Sequence, residues 1–201
     1  TMLLTIRQVS RALQGKTNWK DPMEIMSDES HDSLAYKSWL RHTMKNSDRP
    51  LMLYESIEIA PLFLYGHYAR AIELGNSCLK KINAIWSARN TRFLMFFQAL
   101  SLAGDVWTKY FPAVQNGNEE GKKAMGTGNH PTGGAKAFGT AVEEEVAGVA
   151  MLIKYFKRRI EYWQAVTDIN YLAWSKLLAA QIAEMEDGHG DAMRLYEEAL
   201  D

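Results

Sequence analysis

The chain has 201 residues, a mass of 22.8 kDa and a hydrophobic content of 47%, enough to build a continuous core. Its 23 basic and 24 acidic residues leave a net charge of −1, which excludes a general electrostatic drive toward nucleic acid or an anionic membrane. The single Cys78 excludes an internal disulfide and fits a cytoplasmic setting.

The opening residues Thr1-Met2-Leu3-Leu4-Thr5-Ile6-Arg7 hold too short an apolar stretch, without a basic leader, for a signal peptide, and read as an internal cut of a longer chain. Met2, Ile6, Val9 and Leu13 recur at helical spacing and Gly15 follows as a stop, predicting a first amphipathic helix that buries this stripe. The polar stretch 16–22 leads to a second helix, from Asp28 or Ser30 to Met44, with Leu34, Trp39, Leu40 and Met44 inward. Pro50 is suited to open the third helix, Leu51 to Tyr65, whose apolar residues on every side predict burial between neighbours. Pro61 is expected to kink it. Gly66 turns the chain into a helix striped by Tyr68, Ala71, Ile72, Gly75, Cys78, Leu79 and Ile82. Phe93, Phe96, Phe97 and Leu100 then mark an aromatic contributor to the core.

Between about Gly104 and Gly139 the pattern lapses into what reads as a flexible, Gly-rich insertion. Periodicity resumes near Thr140 with Val142, Val146, Val149, Ile153, Phe156, Ile160 and Trp163. A final hairpin is expected from about Asn170 to Met185 and from Asp191 to the end, with Asp191 as an N-cap. No strand candidate survives, so the expected class is all-α. The expected organisation is one repeat-like domain over 1–201, with helices over 1–104, the insertion over 105–139 and helices over 140–201.

Two segments share a pattern. Gly66-His67-Tyr68-Ala69-Arg70-Ala71 and Asp187-Gly188-His189-Gly190-Asp191-Ala192 each follow a long apolar helix, as the turn and second helix of a tetratricopeptide-type hairpin would. A second helix needs short side chains where it crosses the first, because only these let the two axes approach. Ala71 and Cys78 are spaced like Ala192 and Ala199, with Tyr196 midway in the later pair, and Ala179, Ala180 and Ala183 supply a matching small surface. Gly66, Tyr68, Ala71, Ala192, Tyr196 and Ala199 therefore form the expected packing signature of antiparallel hairpins stacked as a tetratricopeptide-like α-solenoid.

Four short motifs, Ala12-Leu13-Gln14-Gly15-Lys16-Thr17, Tyr65-Gly66-His67-Tyr68-Ala69-Arg70-Ala71, Phe96-Phe97-Gln98-Ala99-Leu100-Ser101-Leu102-Ala103 and Ala180-Gln181-Ile182-Ala183-Glu184-Met185-Glu186, give a more specific resemblance. In order and separation they resemble the helical region of very large sensor kinases, fungal hybrid histidine kinases above all. In that family a serine/threonine-kinase-like domain and an AAA-type ATPase precede this region, and a GAF domain, a histidine kinase and often a receiver follow. The resemblance covers about residues 1–104 and 150–201, and implies a non-catalytic module that couples these parts in a two-component phosphorelay. Pro61 and the segment 116–134 depart from the family pattern.

No constellation of residues points to chemistry. The run 126–136 lacks the Gly-Lys-Ser/Thr ending of a phosphate loop, and 186–191 lacks the length and distal Glu of a calcium loop. His31, His42, His67, His130 and His189 fall at no metal-ligand spacing, and none has the surroundings of a phosphoacceptor. Neither a metal nor a cofactor is therefore expected, and this segment is not expected to be an enzyme. Lys154, Lys157, Arg158 and Arg159 follow Glu143, Glu144 and Glu145 on one helix, read as a solvated face or as an interdomain contact between opposite signs. Trp39, Trp86, Trp107 and Trp163 read as core, whereas Trp174, Leu177, Gln181 and Glu184 are candidates for a concave protein-binding surface. The corresponding earlier positions Leu53, Ser56, Ala60 and Phe63 are expected to be covered. Expected partners are other domains of the parent chain or another protein; the alternative is a free-standing adaptor that binds a peptide or helix.

Overall fold

The computed structural model describes residues 2–85, 89–110, 140–164, 171–186 and 188–200. Among these the architecture is all-helical: α1 (Met2–Leu13), α2 (Ser33–Thr43), α3 (Arg49–Leu64), α4 (Tyr68–Lys80), α5 (Arg89–Tyr110), α6 (Thr140–Gln164), α7 (Tyr171–Met185) and α8 (His189–Leu200). The only extended pairing among the described residues is an isolated bridge between Asp28 and His31. No helix among them is long and apolar enough to cross a membrane. The chain divides into two compact units, residues 1–101 and 102–201, with the boundary inside α5.

In the first unit α3 is central, packed by α1, α2 and α4. Pro50 stands in its first turn, and its side chains from Met52 to Leu62 are buried with two exceptions, Leu53 and Ile57, which are half-buried. Pro61 lies inside the helix, which continues past it to Leu64. Gly66 then takes a left-handed φ of +77°, the conformation that a Cβ penalises. There Gly66 N donates to Phe63 O at 3.0 Å and His67 N to Leu62 O at 2.9 Å, which satisfies two carbonyls in the last turn of α3. Gly15 (φ +68°) ends α1 with the same pair of bonds, to Ala12 O and Arg11 O.

The chain returns along α4 antiparallel to α3, and Lys81 beyond its far end reaches Asp48 in front of α3 at 2.8 Å. α5 runs parallel to α3. Asn90 Nδ2 donates to Ser56 Oγ at 3.3 Å, and the rings of Phe63 and Phe97 lie 5.7 Å apart, so both pairs are 34 residues apart in the sequence. The core joins Ile25, Met26, Leu40, Met52, Tyr54, Ile59, Leu62, Ala71, Leu74, Cys78, Ile85 and Leu94.

Two faces differ from expectation. α1 buries Thr5, Gln8 and Ala12, while Met2, Ile6 and Leu13 are exposed and only Val9 of the apolar stripe packs on the core. In α2, Leu40 alone of the expected four points inward; Leu34, Trp39 and Met44 are exposed and the buried face carries Ser33 and Lys37. Polar partners drive both rotations: Gln8 Nε2 donates to the buried Met26 O at 2.9 Å, and Lys37 reaches Glu58 of α3. The buried Met26 carbonyl and Glu58 carboxylate, left without donors, would cost more than an exposed Leu, so the faces that carry their partners turn in.

In the second unit, α6 and α7 are antiparallel. Glu161 near one end meets Ser175 Oγ at 2.9 Å, and Lys154 meets Glu186 at the other. α7 and α8 pair in the same sense through Lys176 with Glu198 and Gln181 with Tyr196. Their connection is tight: Gly188 N donates to Ala183 O at 2.7 Å, and a Cβ on Gly188 would lie 3.1 Å from that oxygen. Ala150, Ile153, Phe156, Ile160, Leu178, Ala180, Ile182 and Ala192 are buried here. Asp191 is not the N-cap; α8 begins at His189, and Asp191 sits in the first turn beside Arg194 at 3.5 Å. The lapse expected from Gly104 starts later, because Val106 is buried and α5 carries on to Tyr110. The Gly-rich residues 111–139, with His130, lie outside the described residues, as do Trp86 and the side chain of Trp163.

Candidate functional site

Trp174, Leu177, Gln181 and Glu184 recur along one side of α7, and all four are half-buried. The two polar ones bond to neighbouring helices. Gln181 Oε1 accepts from Trp107 Nε1 at 3.2 Å while its amide donates to Tyr196 Oη, and Tyr196 Oη in turn donates to Glu184 Oε2 at 2.7 Å. This chain of bonds ties α5, α7 and α8 together. Burial, reinforced by the bond to Glu184, raises the Tyr196 phenol above its ordinary value, so it stays a donor at neutral pH. Trp174 packs edge-on against Tyr171 at 5.4 Å. The apolar part of this side is Trp174 and Leu177, both half-buried.

The residues of the packing signature differ in burial, and Gly66 is exposed in the turn between α3 and α4. Ala71 is fully buried on α4 and Ala192 is 3% exposed on α8, while Ala199 and Tyr196 are half-buried. Tyr68 is half-buried with its ring 5.8 Å from Phe63. Of the earlier positions expected to be covered, Ser56 and Ala60 are buried and Leu53 and Phe63 half-buried.

A dense polar cluster among the described residues lies away from every motif named above. Lys37 Nζ bonds both carboxylate oxygens of Glu58, at 2.8 and 2.9 Å, with side chains only 4% and 1% exposed. One turn earlier on α3, Glu55 accepts from Arg41 at 3.0 Å. Burial raises both carboxyls above their ordinary values, against the lowering influence of Lys37 on Glu58 and of Arg41 on Glu55. Tyr54 donates to Ser33 Oγ at 3.1 Å, which leaves its oxygen to accept from His31 Nε2 at 3.0 Å. Burial holds the His31 imidazolium below its usual range despite Asp28 and Asp32 nearby. The signal was in the sequence: Glu55 and Glu58 interrupt an otherwise apolar helix, and Lys37 is spaced with Ser33 and Leu40 on one helical side.

Around that cluster the loop 16–31 is pinned to α1. Asp28 accepts from Ser30 N and Oγ at 2.8 Å each, from Gln8 Nε2 at 3.1 Å, and pairs with Arg11. Burial works to raise this carboxyl, yet the bonds from Ser30, Gln8 and Arg11 outweigh it and hold it well below the usual range. Cys78 lies nearby in the core; desolvation, with Glu55 and Glu58 adding to it, pushes its thiol up to about 12, which makes it inert as a nucleophile. The Lys37–Glu58 pair is closed on itself and shielded from water, so the geometry makes it an interhelical lock joining α2 to α3.

The charged run of α6 is mostly occupied locally: Lys154 pairs with Glu186, Lys157 with Glu161, and Glu145 with Tyr110 and Lys109. His42 and His67 bond the carbonyls of Ser38 and Trp19 at 2.8 Å each. Among the described residues no group of three or more His, Cys, Asp or Glu could hold a metal ion. No protein-family model matches this chain, and no curated protein or solved structure is detectably similar to it.

Proposed function

We propose that this chain is a non-catalytic helical scaffold, a tetratricopeptide-like regulatory module of a multidomain signalling kinase of the two-component type. It would couple ATPase and kinase-like parts to sensory and histidine-kinase parts, as a semi-rigid stack whose packing responds to the state of its neighbours. The observation that carries the stacking half of this reading is the offset of 34 residues at which α5 lies parallel on α3, through Ser56 with Asn90 and Phe63 with Phe97. That is the length of a tetratricopeptide repeat, in which first helices of successive hairpins meet at one repeat's separation. The closed character of the ionic groups agrees with it: Lys37, Glu58, Gln181 and Glu184 spend their bonding capacity on the chain's own helices. The kinase context rests on the four short motifs quoted above.

Reading the full-length transcript tests the proposal. Continuation upstream into an AAA-type ATPase and downstream into a GAF domain and a histidine kinase is the expected result. A stop codon directly after Asp201, or neighbouring domains without nucleotide or phosphorelay signatures, overturns it. The adaptor alternative draws less support, because Gln181 and Glu184, the polar half of the binding face it needs, are bonded to Trp107 and Tyr196.

A further inference from the structure

From Thr140 to Tyr162 one side of α6 faces water. Thr140, Ala141, Glu144, Ala147, Met151, Tyr155, Arg158 and Tyr162 are all exposed and fall on one stripe at helical spacing, while the opposite side buries Ala150, Ile153, Phe156 and Ile160. Met151 is 69% exposed, Tyr155 54% and Tyr162 75%, large apolar bodies left open to water even though the Tyr155 ring also meets that of Phe156 at 5.5 Å. Gly148 lies on the same side, half-buried, and a Cβ added to it would meet nothing within 4 Å. A glycine inside a helix costs about 1 kcal/mol relative to alanine. Among the described residues nothing crowds position 148, so the notch fits a contact from outside.

The stripe is asymmetric in two ways that answer each other. Its first half carries small residues and Glu144; its second half carries two tyrosines and Arg158. Folding such a pattern back on itself about a two-fold axis at Met151 sets position 144 against 158, 147 against 155, and 140 against 162. A surface complementary to itself under that rotation is what an isologous dimer requires. We propose that this side of α6 is a dimer interface whose occupant is α6 of a second copy, laid antiparallel: Glu144 faces Arg158 at both ends, and Tyr155 enters the notch at Ala147 and Gly148.

The contact between residues 140 and 162 is about 33 Å long at 1.5 Å rise per residue. One helix pair of that length is modest beside the roughly 1,200–2,000 Å² of a standard interface. The dimer is therefore weak, forming in the micromolar range. The inference is independent of the kinase reading, since it needs only this chain.

Sedimentation velocity on the 201-residue chain, from roughly 1 to 200 µM at low salt, tests it. The expected result is a reversible monomer–dimer equilibrium that weakens by about tenfold or more in Glu144→Arg or Arg158→Glu, each of which creates two like-charge contacts. The double variant Glu144→Arg/Arg158→Glu recovers the wild-type equilibrium. Under oxidation Met151→Cys, on the axis, crosslinks to its copy, and Tyr162→Cys, at the far end, does not. A monomer at every concentration, a ladder of larger species, single reversals without effect, or a double reversal without rescue overturns the proposal. So does a dimer that persists in these variants and is lost in Ile6→Glu, which would move the contact to the exposed side of α1.

Discussion

The ammonium of Lys37 sits between the two carboxylate oxygens of Glu58, at 2.8 and 2.9 Å, inside a helix interface from which water is excluded. Each ion has been taken out of water at a cost that only the other offsets, so removing one leaves the partner stranded. Lys37→Met is expected to destabilise the first unit by about 3–5 kcal/mol, the cost of an uncompensated buried charge. The pair replacement Lys37→Met/Glu58→Leu should recover most of that loss. Urea unfolding followed by circular dichroism measures both; equal losses in the single and double variants would mean that the pair is not a unit.

Gly75 of α4 answers to a different constraint. A Cβ built there would overlap Gln98 Oε1 of α5 and lie 3.1 Å from Ile59 Cδ1. Gln98 is 1% exposed and its amide donates to Asn76 Oδ1 at 3.1 Å and Ile72 O at 3.4 Å, so it cannot swing aside without breaking those bonds. Gly75→Ala should therefore cost about 1–3 kcal/mol, although alanine is the better helix former. In a Gln98→Ala background the same change should become neutral or stabilising. A double-mutant cycle with no coupling energy would refute the close approach.

The carboxylate of Asp28 sets the acid limit of the loop 16–31. Its folded value is depressed, so its contribution is complete above the unfolded value of about 3.9 and is lost as pH falls toward the folded one. Glu55 and Glu58 are shifted upward and act with the opposite sign: what they add is greatest at low pH and fades as pH rises through their folded values. Subtracting Asp28→Asn from the wild type isolates the first term. The difference should be about 1–3 kcal/mol at pH 7, flat down to about pH 5, and should shrink below about pH 4. Urea midpoints at a series of pH values give it directly; a difference that grows on acidification would reverse the assignment.

The helices themselves were legible because apolar spacing, Pro50, Gly15 and Gly66 are local signals, and local physics placed them. Which side of a helix turns inward is not local. Met2, Ile6 and Leu13 form as regular a stripe as any in the chain, yet they are exposed because the Met26 carbonyl and Asp28, more than a dozen residues away, require Gln8 inside. Trp39 gives way to Lys37 for the same reason, the demand coming from Glu58 in another helix. The candidate binding face was legible as a spacing on α7, but Tyr196 and Trp107, which hold its polar end, come from other helices, and no periodicity within α7 announces them.

Tyr196 is the point at which that face can be interrogated. Its hydroxyl is at once the acceptor for the Gln181 amide and the donor to Glu184, so Tyr196→Phe removes two bonds while leaving the ring that fills the space between α7 and α8. The residue is half-buried, and water can replace part of what is lost, which limits the expected cost to about 1 kcal/mol. The effect should be local. Amide hydrogen exchange is expected to quicken along α8 and the end of α7, while the amides of α3, in the other unit, keep their protection. Unchanged exchange in α8 would mean that apolar contacts through Ala192 and Leu178 hold the hairpin by themselves, and that Gln181 and Glu184 are free to serve a partner after all.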